Sequence, residues 1–233
     1  MRARLNLLGT VLAVFGLLFL AGGAVAFAQV QDGYDSLAAF SEAQNVTLSY
    51  DEDGQLIDRG EVEGAEAIMQ LLTGDWGYKV DMADFDPADP VVNTDSEYMF
   101  QMATIGYHIL NGTQTVVLTE AVEYEGETFE AGTYEVPVDG RYWTGFDRMH
   151  PLDGKAREQA WSGTAHGLFA ELGVGTVTHS ALQMGLGIAA LLAGLGGTLL
   201  VAGLGLVFAS RGERDEQVIL MGDTAPAETE IVH

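Results

Sequence analysis

The chain contains no cysteine, and this absence excludes several kinds of chemistry together. Disulfide bonds, thiolate nucleophiles and cysteine metal ligands all require the cysteine sulfur. A domain without disulfides must draw its stability from an ordinary hydrophobic core, and a segment of about 150 residues is long enough to bury one.

Basic residues are scarce, since 10 lysines and arginines stand against 34 aspartates and glutamates, a formal net charge of −24. Between Gln29 and Ser180 there are 28 acidic and 6 basic residues, a net charge of −22. A surface of that sign repels nucleic acid and anionic lipid head groups, so we expect no nucleic-acid partner. It would attract cations or a basic partner, although such surfaces more often serve solubility.

The motifs of common catalytic and metal sites are missing from the sequence. There is no Gly-x-Ser-x-Gly, no Ser-x-x-Lys, no phosphate-binding glycine loop and no pair of histidines four residues apart. The stretch Asp51-x-Asp53-Gly54 resembles part of a calcium-binding loop, but the flanking ligand positions do not match, so a hairpin turn explains it. We therefore expect no catalytic residue, no bound metal and no cofactor.

Two long apolar segments are the most informative features that are present. The first runs from Leu5 to Ala28 and the second from Ala181 to Ala209, and neither contains a charged residue. A helix needs about 20 apolar residues to cross the hydrocarbon core of a bilayer, and each segment is longer than this. Basic residues stand at the outer end of each segment: Arg2, Arg4, Arg211 and Arg214.

These flanks predict the topology, because basic residues remain on the cytoplasmic side of a membrane. Both termini are expected in the cytoplasm, and the acidic middle of the chain outside the plasma membrane. The predicted division is a cytoplasmic N-terminus at 1–4, a first transmembrane helix at 5–28, an extracytoplasmic domain at 29–180, a second transmembrane helix at 181–209 and a short disordered cytoplasmic tail at 210–233.

The first apolar segment allows a second interpretation, as a signal peptide. Ala26-Phe27-Ala28 has the small-x-small pattern that signal peptidase cuts, and cleavage there would leave a mature chain beginning at Gln29. The length of the apolar segment and the helix-compatible sequence that follows it favour a retained anchor.

Small residues recur every four positions along the second apolar segment and form two rows. The rows are Ala190, Gly194, Thr198 and Ala202, and Ala189, Ala193 and Gly197. Such rows let helix backbones approach closely and predict a helix–helix interface, within the chain, with a protein partner or with a second copy. The alternative is that glycine and alanine are simply common in membrane helices.

The acidic middle segment is predicted to be one α+β domain of helices and a small antiparallel sheet. The expected helices are 31–44, 61–72, 96–110 and 154–172, the expected hairpin is 46–58, and the expected strands are 115–118, 122–124, 133–138 and 141–143. Thr94 or Asp95 is expected to cap the helix that begins at Ser96. Gly173-Val174-Gly175 is expected to end the last helix before the second apolar segment begins.

The segment from Arg141 to Trp161 has the composition most typical of a binding site. It holds four of the six basic residues between Gln29 and Ser180, together with two tryptophans. The candidate ligand-binding residues are Trp143, Arg148, His150, Asp153 and Arg157. They predict a pocket for an anionic ligand or a docking patch. The alternative, which we favour, is that the cations neutralise the acidic sheet and the aromatic residues hold the last helix.

The segment from Trp143 to Gly154, followed by a glycine-rich last helix, resembles two-pass bacterial envelope membrane proteins of no known activity. The resemblance brings no activity, catalytic residue or fold to this chain.

Three functional hypotheses follow from the sequence. The first is a non-enzymatic protein of the plasma membrane, an accessory or structural component of an envelope complex. The second is a sensor domain that binds a ligand or cation through the Arg148, His150 and Arg157 cluster or through the acidic loops. The third is a membrane-anchored enzyme with an unrecognised site of histidine and carboxylate, for which His150 and Asp153 are the best candidates.

Overall fold

The computed structural model describes the backbone of residues 2–222 and the side chains up to Arg211. The fold is α+β. Five helices are present in this part of the chain: α1 (Arg2–Gln44), α2 (Val62–Gln70), α3 (Asp95–Leu110), α4 (Asp153–Ala160) and α5 (Gly163–Gly222). The strands are β1 (Thr113–Leu118), β2 (Val122–Tyr124), β3 (Glu127–Phe129) and β4 (Gly132–Pro137). Helix α5 runs to Gly222, and the last eleven residues lie outside the described part of the chain. The predicted disordered tail at 210–233 falls partly on those residues and stays a prediction.

The chain divides into two compact units, the first made of residues up to Gly33 and from Leu182 onward, the second of Tyr34–Ala181. Helices α1 and α5 each contain a stretch long and apolar enough to cross a membrane. Large apolar side chains on these stretches are exposed rather than buried in the protein, among them Leu18, Val201 and Phe208.

Within the first unit, α1 and α5 meet along a line of very small residues spaced seven apart. The pairs in contact are Gly9 with Gly203, Gly16 with Gly196, and Gly23 with Ala189. All six residues are buried. A Cβ built on Gly203 would lie 2.5 Å from the carbonyl oxygen of Gly9, closer than real Cβ contacts. We call these six residues the glycine seam. Because no side chain separates the backbones, the two helices pack at their closest approach.

The second unit contains the helical and strand segments of the predicted domain. Helix α3 begins with a capping box, in which Thr94 Oγ1 accepts from the backbone N–H of Glu97 and the Glu97 carboxylate accepts from the backbone N–H of Thr94. Both bonds satisfy N–H groups that a helix start leaves without a partner. Helix α2 continues into one turn of π-helix, Leu71–Asp75.

The strands form two small antiparallel ladders. β1 pairs with β4, in a register that places Thr113 opposite Pro137 and Leu118 opposite Gly132, and β2 pairs with β3 in a hairpin. The core beneath them consists of apolar residues from the sheet and from the helices around it: Leu71, Leu110, Val116, Val138, Phe146, Ala156, Ala160 and Trp161. The side of β1 opposite this core is exposed, as expected for a sheet with one wet face.

Two expectations about local structure were wrong, and one was confirmed. The predicted strand at 141–143 is absent, and a 3₁₀ turn at Trp143–Gly145 takes its place. The predicted hairpin at 46–58 is confirmed around its turn, where Tyr50 pairs with Leu56 and the backbone N–H of Ile57 donates to the carbonyl oxygen of Ser49. The helix break predicted at Gly173-Val174-Gly175 lies instead at Trp161 and Ser162, between α4 and α5.

The physical reason for the misplaced break is packing. A Cβ built on Gly175 would lie 2.6 Å from the ring of Tyr98, so this glycine is needed for the close approach of an aromatic side chain within a helix. Thr176, directly after this stretch, lies inside α5 and donates its hydroxyl to the carbonyl oxygen of Leu172.

Candidate functional site

Asp153 connects the end of the sheet to the start of α4. Its Oδ1 accepts from Arg141 Nη1 at 2.7 Å, and its Oδ2 accepts from the backbone N–H of Asp147 at 2.7 Å. Arg141 also donates to the carbonyl oxygens of Val138 and Pro137. As the first residue of α4, Asp153 places a carboxylate where a helix N-terminus stabilises negative charge. Its oxygens are thus already engaged within the protein.

His150 is a second connector in the same loop. Its Nδ1 accepts from the backbone N–H groups of Leu152 and Asp153, each at 3.2 Å, which assigns the proton of the neutral ring to Nε2. The ring lies against Tyr124 and Phe129 of the β2–β3 hairpin, with centroid distances of 5.3 and 4.8 Å. This histidine caps the start of α4 and holds the hairpin in place.

Asp147 extends this network to the hairpin through a hydrogen bond from the Tyr124 hydroxyl to Asp147 Oδ2 at 2.7 Å. That bond, together with backbone N–H donors such as Met149, holds the pKa of the Asp147 carboxyl below its usual value of 3.8. The same bond is the main cause that raises the pKa of Tyr124 to about 12.

Arg157 is held by an aromatic ring instead of a carboxylate. Its guanidinium carbon lies 3.8 Å from the centroid of the Trp143 ring, a cation–π contact. Its Nε is buried and has no hydrogen-bond partner among the residues that the structure describes. Trp143 also contacts the ring of His166, at a centroid distance of 5.2 Å.

Trp161 closes the base of the site. Its Nε1 donates to the carbonyl oxygen of Arg141 at 3.1 Å, and its ring stacks on Tyr142 at a centroid distance of 5.6 Å. Phe169 of α5 packs against the same ring. This arrangement joins α4, α5 and the loop that follows β4.

Two of the predicted site residues remain open to solvent. Arg148 is exposed and makes no hydrogen bond or ion pair with the described part of the chain, and Trp143 keeps 37% of its surface exposed. Met149 beside Arg148 is 71% exposed. A solvent-facing cation with exposed tryptophan and methionine side chains has the composition of an interaction surface. His150, Asp153 and Arg157 shape the loop that carries it.

The predicted rows on the second apolar segment lie on different faces of α5. Ala189 and Ala193 contact α1, since a Cβ on Gly23 would lie 3.1 Å from the Ala189 oxygen and from the Ala193 nitrogen. Gly197 is half-buried beside the seam. The other row, Ala190, Gly194, Thr198 and Ala202, is exposed along its whole length, and nothing lies within 4 Å of a Cβ built on Gly194. We call this second row the open stripe.

Two histidine–carboxylate pairs were missed by sequence reasoning. His108 Nε2 lies 3.0 Å from Asp58 Oδ1, and His179 Nδ1 lies 3.1 Å from Asp95 Oδ1. The partners are 50 and 84 residues apart, so no local spacing could have indicated them. Among the side chains that the structure describes, no group of three or more histidines or carboxylates is placed to hold a metal ion.

No protein-family model, no curated protein and no solved structure matches this chain.

Proposed function

We propose that this chain is a non-enzymatic protein anchored in the plasma membrane by α1 and α5, with an acidic extracytoplasmic domain that contacts a partner in an envelope complex. The observation that carries the proposal is the division of small residues on α5. One face packs against α1 through the glycine seam, and the open stripe on another face is exposed. Close packing on small residues is a main means of helix association in membranes.

The side chains that surround the seam support the placement in a bilayer. Leu7, Leu18, Val201 and Phe208 are between 62% and 78% exposed. Large apolar side chains in such numbers are unfavourable in water and favourable against lipid tails. The basic residues at the outer ends of both segments favour cytoplasmic termini.

The topology is tested with single cysteines, because the natural chain has none to interfere. We expect Gly126→Cys to react with a membrane-impermeant maleimide in intact cells. Ala3→Cys should react only after the membrane is opened. The reverse pattern of labelling would overturn the proposed orientation.

The glycine seam also favours a retained first segment. Gly9, Gly16 and Gly23 supply half of the seam, and Ala26-Phe27-Ala28 lies inside α1 rather than in an exposed, irregular segment of the kind that proteases prefer. Mass spectrometry of the chain purified from its native membrane should therefore find peptides that precede Gln29. A mature N-terminus at Gln29 in every molecule would contradict retention.

The association itself is tested on the open stripe. Gly194→Leu together with Thr198→Leu should abolish any detergent-stable complex recovered by pull-down from native membranes. Leu204→Phe, at an exposed apolar position on another face of the same helix, is the control and should leave the complex intact. A complex that survives the double substitution would show that the stripe is not the interface.

A second candidate function is ligand binding by the extracytoplasmic domain. It is favoured by Arg148, which is exposed beside an exposed methionine and has no ionic partner among the described residues, in a predominantly acidic domain. Binding of a small anion there would raise the melting temperature, because only the folded state offers the site. A melting temperature that does not change with phosphate or citrate would argue against this candidate.

The enzyme hypothesis has less support from the geometry. Both candidates, His150 and Asp153, already serve as hydrogen-bond acceptors for neighbouring backbone and side-chain groups. A general base needs a free lone pair within reach of a substrate proton.

A further inference from the structure

An apolar cavity of about 280 Å³ lies between α2, the 51–55 turn and the short 3₁₀ segment Met82–Asp84. Its walls come mainly from apolar and aromatic side chains: Tyr50, Leu56, Val62, Met69, Met82 and Phe85. A cavity of this size would hold a molecule with a single ring or a short alkyl chain.

The wall of the cavity is fixed by local hydrogen bonds. Asp51 Oδ1 accepts from the backbone N–H groups of Asp53 and Gln55, and Tyr50 pairs with Leu56 across the turn. Gly54 closes the turn with a positive φ of 78°, which favours glycine, and packs against Pro87. The turn that forms one wall of the cavity is therefore held on both sides.

The polar side chains in the lining of this cavity belong to Tyr50, Gln55 and Glu66. Glu66 is the one charged residue in its lining, and no lysine or arginine takes part. The hydroxyl of Tyr50 is buried and has no hydrogen-bond partner among the described residues. Burial, followed by the charges of Glu97, Asp86 and Asp89, raises the pKa of Tyr50 to about 12. The potential around the cavity is therefore negative.

We propose that this cavity binds a small organic cation, an ammonium compound with an aromatic or alkyl body. The apolar walls would bury the body, and the flexible thioethers of Met69 and Met82 would adapt to its shape. The aromatic rings of Tyr50 and Phe85 and the carboxylate of Glu66 would attract the charge. An anion of the same shape would be repelled. This inference does not depend on the proposed association through α5.

The test compares three probes that share one ring and differ in charge: benzylammonium, benzyl alcohol and benzoate. Each is titrated at millimolar concentration into the full chain in nanodiscs, with binding followed by calorimetry and by melting temperature. We expect benzylammonium to bind at least about tenfold more tightly than benzyl alcohol, and benzoate not to bind. Equal binding of all three, or no binding of benzylammonium, would overturn the proposal.

Two matched substitutions on α2 locate the binding. Glu66 lines the cavity, whereas Glu63 lies on the same helix and does not. Both are exposed, so neither change is expected to disturb folding. Glu66→Gln should weaken benzylammonium binding severalfold, and Glu63→Gln should leave it unchanged. Equal losses in both variants would mean that the probe responds to the general acidity of the domain, which would refute a site at this cavity.

A third variant tests the cavity without changing its charge. Leu56→Trp places a larger side chain in the wall and should abolish binding of benzylammonium. Circular dichroism confirms that the variant is folded, and Glu66→Gln provides the independent result if it is not. A folded Leu56→Trp variant that binds as tightly as the natural chain would contradict the proposal.

Discussion

A Cβ built on Gly16 would lie 2.7 Å from the carbonyl oxygen of Gly196, so α1 and α5 meet backbone to backbone at the middle of the glycine seam. The nearest van der Waals neighbours at this point are main-chain atoms, which cannot move aside as a flexible side chain could. Substitutions in the seam are therefore expected to cost more than the same substitutions elsewhere on α5.

The first prediction compares Gly203→Ala with Gly205→Ala. A Cβ at Gly203 would lie 2.5 Å from the Ala13 nitrogen, whereas nothing lies within 4 Å of one at Gly205. Overpacking of this kind costs about 1–3 kcal/mol. Gly203→Ala should lower the melting temperature of the full chain in detergent, and Gly205→Ala should leave it unchanged or raise it slightly, because alanine is the better helix former. Equal effects of the two changes would mean that the helices do not meet at the seam.

The second prediction concerns the buried carboxyl of Glu97, which is only 1% exposed. Burial raises its pKa above the ordinary value of 4.5, and the hydrogen bonds from Asn93 and Thr94 only partly oppose this. The folded state thus holds this proton more tightly than the unfolded state, so the carboxyl contributes less stability as the pH rises above 4.5.

Thermal unfolding of the natural chain and of Glu97→Gln over a range of pH tests this. The natural chain should lose stability relative to the variant as the pH rises through the raised pKa of Glu97. A difference that stays constant with pH, or that changes in the opposite direction, would contradict the prediction.

The third prediction has the opposite sign and concerns the bond between Tyr124 and Asp147. The pKa of Asp147 is lowered, first by the hydrogen bond from the Tyr124 hydroxyl. The bond therefore stabilises the folded state at pH values above the ordinary pKa of 3.8, and this contribution disappears as the pH falls through the lowered pKa. Tyr124→Phe should therefore melt at a lower temperature than the natural chain at neutral pH. In strong acid the two melting temperatures should converge. A gap that persists there would indicate that packing of the ring, and not the hydrogen bond, is responsible.

The fourth prediction separates the structural residues of the Arg141–Trp161 segment from the exposed ones. Asp153→Asn weakens the bond to Arg141 at 2.7 Å, between two side chains that are 17% and 31% exposed, and leaves a cation without its partner. Such a loss costs about 1–3 kcal/mol. Arg148→Gln should not change the melting temperature, because that side chain has no partner in the described part of the chain. If both variants were equally stable, Asp153 would have no structural role.

Features of the fold that depend on neighbouring residues could be predicted from the sequence. Helix α3 was expected from Ser96 to Leu110 with a cap at Thr94 or Asp95, and the structure confirms the helix and identifies Thr94 as the cap. The strand at Val122–Tyr124 was also confirmed. In both cases the signal, a capping residue or an alternation of apolar and polar residues, lies within a few positions of the element that it specifies.

Features that depend on distant contacts could not be predicted. Glycine is ambiguous in sequence, since it ends helices and also permits close packing, and only the position of Tyr98 decides between these roles at Gly175. Strand β3 was missed because Glu127–Phe129 is three residues long and pairs only with β2.

The candidate site shows the same limit. Composition indicated the Arg141–Trp161 segment as a whole, but not that Arg141 pairs with Asp153 while Arg148 stays exposed. The apolar cavity at Tyr50 gave no signal at all, because its walls come from separate segments between Tyr50 and Phe85.

The seven-residue spacing of the glycine seam has a mechanical consequence. Seven residues fall short of two full helical turns, so a straight contact line drifts by about 20° per repeat, and two helices that keep such a line in contact must wind around each other with a left-handed twist. Inserting one residue between Gly9 and Gly16 would rotate the start of α1 by about 100° about its axis. An insertion after Thr10 would bring the side chain of Thr10 onto Gly203 in place of Gly9. The spacing of the glycines, and not only their number, thus sets how this helix pair is wound.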